Sequence, residues 1–187
     1  MNRATLILLA ALLCSATTVS GLRVENKTYK FAFTFAPDTE LKYEDDGVGI
    51  VGTHVPAGLK KSDYGVLVYG SPGMVLTAAE ALAIGYADHE AVLSAIDIAD
   101  HAEFHKALQT VMELRGLKSA GEASVSLGET TLSVPYYTWE QSLAGRTHHA
   151  LMYVIKHGAA FVYVQVESNK PLSKETQNWM ASKLELL

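Results

Sequence analysis

The chain has 187 residues, 49% of them hydrophobic, 19% charged, and a net charge of −5. An acidic balance in which Lys60-Lys61 is the one adjacent basic pair excludes a polyanion, and so nucleic acid, as the expected partner. The single cysteine, Cys14, lies near the amino end, so the rest of the chain must hold together by packing, without disulfides.

Arg3 precedes the apolar run Ala4 to Leu13, and small residues follow from Ser15 to Gly21. A positive start, a short apolar core and a small-residue tail make a secretory leader. The core falls well short of the roughly 20 residues that span a bilayer. The expectation is a signal peptide over residues 1–20, cleaved after Ala16 or Ser20, and a single globular domain over 21–187, periplasmic or secreted. Leu12 and Leu13 fill positions where lipoprotein processing at Cys14 wants small residues, which argues against that route. No later segment is apolar enough to cross a membrane. Asn26-Lys27-Thr28 fits a glycosylation acceptor, with meaning only in a eukaryotic secretory pathway.

Tyr29 to Phe35 alternates aromatic with small or polar residues, the period of a strand with one face in a core. Gly47 to Val55 and Tyr64 to Tyr69 read as two more strands, and the three are expected to form an antiparallel meander closed by Gly70-Ser71-Pro72-Gly73. From Leu76 to Arg115 the period is helical. Thr77 with Glu80, and Asp100 with Glu103, match the capping box and mark two helix starts. One apolar face is formed by Val92, Leu93, Ile96 and Ala99, and another by Phe104, Leu108, Val111 and the stem of Arg115. The two faces are out of phase, so a break is expected near Asp97 to Asp100, with a stop at Gly116. A second meander follows over Tyr136–Leu143, His148–Ile155 and Ala160–Glu167, its last two strands apolar on both faces. Ser173 then caps an expected terminal helix carrying Trp179, Met180, Leu184 and Leu187. The fold class expected is α+β: an antiparallel sheet of two meanders with helices packed on it as an α/β/α sandwich.

This order of elements, carried by Tyr29 to Pro37, by the long strands from Tyr136 to Glu167 and by Glu175 to Leu187, resembles the PsbP-like and DcrB-like families. The resemblance implies the α/β/α sandwich and an exported module without a shared catalytic apparatus, working by contact with another protein. It transfers no binding residue, since no binding motif matches. Thr39 to Tyr43 also lacks the tryptophan that such families often place after the opening proline.

Gly47-Val48-Gly49-Ile50-Val51-Gly52 has the spacing G-x-G-x-x-G, but Thr53-His54-Val55-Pro56 follows as a β-like run, where a dinucleotide site needs a helix. His101 and His105 stand four apart on a helix, a spacing that can chelate a metal, with Asp97 as a conceivable third ligand. The same spacing also suits two histidines bordering a buried stripe, and it is not H-E-x-x-H. His148 and His149 are adjacent on a strand and point to opposite faces. No nucleophile motif accompanies the seven histidines, and Asp45-Asp46 reads as a turn. Most of the aromatics at 136, 137, 139, 153 and 163 suit a core. Tyr136, flanked on its face by Thr138, Glu140 and Ser142, is the expected exposed binding contact.

The functional expectation is an exported, non-enzymatic binding or accessory protein without a cofactor, acting on another exported or envelope protein. The alternatives are a periplasmic immunity or inhibitor protein against an exported enzyme, and a metal-binding protein or metal-dependent enzyme using His101 and His105.

Overall fold

Period-2 alternation governs most of the chain, and the computed structural model has twelve strands and two helices among its described residues: 21–35, 41–44, 49–52, 64–98, 100–143, 145–173 and 181–187. In order these are β1 (Leu22–Asn26), β2 (Phe31–Phe35), β3 (Leu41–Glu44), β4 (Gly49–Gly52), β5 (Tyr64–Ser71), β6 (Gly73–Leu76), α1 (Ala78–Ala83), β7 (Ala91–Ser94), α2 (His101–Leu114), β8 (Lys118–Leu127), β9 (Thr130–Leu143), β10 (Arg146–His157), β11 (Ala160–Ser168) and β12 (Leu184–Leu186). Ten strands make one curled sheet in the order β1-β2-β12-β8-β9-β10-β11-β5-β4-β3, and β6 and β7 pair separately. Every ladder is antiparallel except that of β12 with β8.

The curl follows from which residues must be hidden. Phe31, Phe33, Phe35, Val66, Val68, Tyr136, Leu151, Tyr153, Val162 and Val164 all point to one face and merge into a single core with Leu184 and Leu186. A flat sheet could not bring β1 and β2 into the same cluster as β5 and β11; rolling it around its own apolar face does, and β1 comes to lie near β4. Tyr29, in the turn between β1 and β2, drops its ring where a Cβ of Gly70 on β5 would stand, so a glycine is required at the point where the turn crosses the sheet.

The opposite face is covered unevenly. Tyr137, Val154, Phe161 and Tyr163 pack under α1, α2, β6 and β7 in a second core with Leu76, Phe104, Leu108 and Met112. Along β8 and β9 the same face pairs Ser124 with Ser133 and Ser126 with Thr131, all exposed, so no element among the described residues covers it there.

This architecture corrects the expected α/β/α sandwich: the molecule is mostly β, and its two described helices, of 6 and 14 residues, belong to one face. Three local departures explain the change. Val92 and Leu93 belong to strand β7, paired with Val75 and Met74, and not to a helix. Leu184 lies in β12, where Leu184 and Leu186 are buried and Glu185 points outward, a period of two where a helix was expected. The first meander is divided, because β2 pairs with β1 and β12 while β3, β4 and β5 form their own antiparallel run. The second meander, β9-β10-β11, is antiparallel throughout, with Leu151, Tyr153, Val162 and Val164 in one core and Val154, Phe161 and Tyr163 in the other. The expected leader, Asp45-Asp46 and most of the expected terminal helix lie outside the described residues.

Candidate functional site

The chemistry-bearing side chains concentrate in the layer over β10, β11 and β5. Thr77 opens α1 with a full capping box: its hydroxyl accepts from the Glu80 N–H at 3.3 Å, and its own N–H donates to Glu80 Oε2 at 2.8 Å. Glu80 is only 5% exposed, and Arg115, at the end of α2, answers its charge. Arg115 Nε donates to Oε1 at 2.7 Å and Nη2 to Oε2 at 3.2 Å, while Nη2 also donates to the Val75 carbonyl at 2.9 Å. The guanidinium holds the Glu80 carboxyl down at about 2, against the opposing effect of burial. One ion pair thus fastens α1, β6 and the end of α2 together. At the other end of α2, Asp100 Oδ1 accepts from the Ala102 and Glu103 N–H groups at 2.6 and 3.3 Å.

A cleft of about 410 Å³ opens between the end of α1, the turn after β7 and the outer side of α2. Ile84, Leu93, Ile98 and Ala107 line it together with Asp97, Glu103 and Lys106. Tyr86 stands at its edge, where its hydroxyl donates to Asp97 Oδ2 at 2.8 Å and lies 3.1 Å from the Val92 carbonyl. The surface beside it is unusually apolar. Among the described residues seven large hydrophobics are exposed, and five of them, Val75, Leu82, Tyr86, Val92 and Ile96, fall within residues 75–96. Val75 and Val92 are direct cross-strand partners, 74% and 57% exposed, while their neighbours Met74 and Leu93 are buried beneath.

The sequence-predicted sites are placed differently. Tyr136 is 3% exposed, with its ring 5.6 Å from that of Tyr153 in the core, which corrects its expected role as a surface contact. Its strand position is opposite Tyr153, near the middle of the sheet, whereas Glu140 and Ser142 lie toward the open end of β9. His101 and His105 do face one another, ring centroids 6.3 Å apart. Asp97 is not with them; it sits in the turn after β7 and is bonded to Tyr86. No cluster of three or more His, Cys, Asp or Glu able to hold a metal occurs among the described residues. His149 lies 2.9 Å from Glu140 beside a smaller cleft of about 290 Å³ lined also by Trp139 and Leu172. Gly49 to Gly52 is strand β4, paired with β5.

Both nitrogens of His105 and Nδ1 of His101 are buried without a hydrogen-bond partner among the described residues. Burial lowers the pKa of both rings; Lys156 and His157 add to the effect at His101, and His101 adds to it at His105, against weaker opposition from Asp100 and Glu122. Because the folded pKa lies below the unfolded one, the unfolded chain takes up more protons in mild acid. The stability held by the neutral rings is therefore full above the ordinary imidazole pKa of 6.5 and declines as pH falls through and below it. Urea midpoints are expected to be lower near pH 5 than near pH 7.5. In His105→Leu this difference should shrink, and an unchanged difference would place the effect elsewhere.

No helix among the described residues is long and apolar enough to cross a membrane. No protein-family model matches the chain. No curated protein matches it either. Among solved structures, a Bacteroides thetaiotaomicron protein matches with a TM-score of 0.50 at 11% identity, over 90% of this chain and 49% of that one. The chain thus spans about half the length of that neighbour, and the likeness is one of fold alone. LpqN, involved in cell envelope biogenesis of Mycobacterium tuberculosis, matches with a TM-score of 0.46 at 18% identity, over 88% of each chain.

Proposed function

We propose that the chain is a non-enzymatic binding module that docks another exported or envelope protein through the face formed by β6, α1 and β7. The observation that carries this reading is the concentration of exposed apolar side chains on that face, with the Val75–Val92 pair beside a cleft rimmed by Asp97, Glu103 and Lys106. An apolar centre with a charged rim is the usual anatomy of a protein interface, and clustered exposed hydrophobics on a soluble domain mark contact sites more often than chance. The two-stranded sheet is not set up for strand addition: the Val75 carbonyl is taken by Arg115, and the Tyr86 hydroxyl lies against the Val92 carbonyl. Recognition would then rest on side chains.

The compartment rests on the leader pattern of Arg3 to Gly21. The PsbP-like or DcrB-like resemblance enters only as an exported, non-catalytic role, since the curled sheet replaces the layer arrangement it implied.

The test is site-specific photo-crosslinking in the producing cell, with the reactive residue at Val75, at Val92 or at the exposed Ser124 on β8. A discrete adduct is expected from positions 75 and 92 and none from 124. Val92→Asp should remove the adduct at 75 while changing stability by no more than about 0.5 kcal/mol, as surface substitutions do. Equal adducts at all three positions, or none at 75 and 92, would overturn the proposal.

A further inference from the structure

The sequence contains five methionines, of which Met1 and Met180 lie outside the described residues. The other three, Met74 on β6, Met112 on α2 and Met152 on β10, all line one cleft of about 280 Å³, together with Tyr69, Ser71, Val75, Arg115 and Tyr163. They come from three elements far apart in sequence. Two are buried and Met152 is partly buried. Methionine serves often as a flexible filler of irregular core gaps, but filling alone gives no reason for every described methionine to meet at one cleft.

We propose that this cleft binds a soft monovalent metal ion, copper(I) by chemistry, through the thioethers of Met74, Met112 and Met152. The remaining walls exclude harder ions. Ser71 Oγ is engaged with the Gly73 carbonyl at 2.7 Å. Tyr69 and Tyr163 stack with centroids 4.5 Å apart, and burial pushes both phenols up, so they stay neutral. Among the described residues no carboxylate, imidazole or thiol lines the cleft. Thioether sulfur is a soft, neutral donor that favours copper(I) over zinc, magnesium or calcium.

Charge selects in the same direction. Arg115 lines the cleft, but its guanidinium is met by both oxygens of Glu80, so the pair presents little net charge to an entering ion. A single positive charge is repelled less by the exposed part of that guanidinium than a double one would be.

Silver(I), a redox-inert stand-in for copper(I), is the probe. Protein carrying 13C-labelled methionine methyls is titrated by calorimetry and NMR. One equivalent should bind and shift three methyl signals, and zinc should shift none of them. The triple variant Met74→Leu, Met112→Leu, Met152→Leu preserves volume, and should bind silver(I) at least about tenfold more weakly, the scale on which even outer-shell changes act on metal affinity. If the triple variant does not fold, Met152→Leu alone, at the partly buried position, should show the same direction. A His101→Ala, His105→Ala variant should bind as the unaltered protein does. Absence of saturable binding, undiminished binding by the methionine variants, or loss of the methyl shifts in the histidine variant would each overturn the site.

Discussion

Arg115→Ala is expected to destabilise the protein by about 3 kcal/mol, the low end of the range for breaking a buried ion pair. Glu80 would keep its negative charge in a position almost closed to water, with Thr77, through its N–H and its side chain, left to hold it. The partial exposure of Arg115, 37% of its side chain, draws the figure down from the upper end, because solvent can enter where the guanidinium stood. Guanidinium chloride denaturation should show a lower midpoint with little change in slope. In the double variant Glu80→Gln, Arg115→Ala the loss should be smaller than the sum of the two single losses, since the orphaned charge is gone. Additive losses would mean that the two side chains act independently.

The same pair sets a limit in acid. With the folded carboxyl at about 2 and its ordinary value at 4.5, the stabilisation is complete above the ordinary value and is lost progressively as pH falls toward the folded one. This decline begins below 4.5, whereas that of His101 and His105 begins at 6.5, so the two contributions set in at different points of a pH titration of stability. Glu80→Gln should flatten the lower limb and leave the upper one in place.

Phe161→Ala is expected to cost about 3–5 kcal/mol, the usual range for deleting a buried ring. Phe161 is fully buried on β11, and its ring stacks on Phe104 of α2 with centroids 5.1 Å apart and an angle of 17° between the planes. The pair is a principal aromatic contact between helix and sheet, so its loss should loosen α2 as well as lower the global midpoint. Hydrogen exchange of amides 104–114 is expected to quicken in Phe161→Ala more than that of amides 150–155 on β10. Equal acceleration in both segments would mean that the contact adds only to overall stability.

The parts of this fold that could be read from sequence are those whose signals are local. Thr77 with Glu80, Asp100 and Gly116 mark helix ends through bonds or backbone angles spanning a few residues, and they stand where expected, Gly116 with a φ of 76°. The long strands β9, β10 and β11 declare themselves by runs of β-branched, aromatic and apolar residues between turn signals. Strand β7 does not, because four residues, Ala91 to Ser94, fit a helical face as well as a pleated one. Strand β8 alternates serine with alanine and valine, too weakly apolar to stand out from a loop. Tyr136 reads as exposed because Thr138, Glu140 and Ser142 are polar, but those neighbours lie nearer the end of the sheet while Tyr136 lies opposite Tyr153. The Glu80–Arg115 pair and the meeting of three methionines depend on elements far apart in sequence, which periodicity cannot record.

Strand β12 sits between β2 and β8, and so residues 184–186 are stitched into the interior of a sheet that also holds β1 and β2. A polypeptide made or threaded from its amino end cannot join β2 to β8 until residues 184–186 are available to lie between them. Closure of the sheet must therefore proceed through contacts far apart in sequence, a slow kind of search.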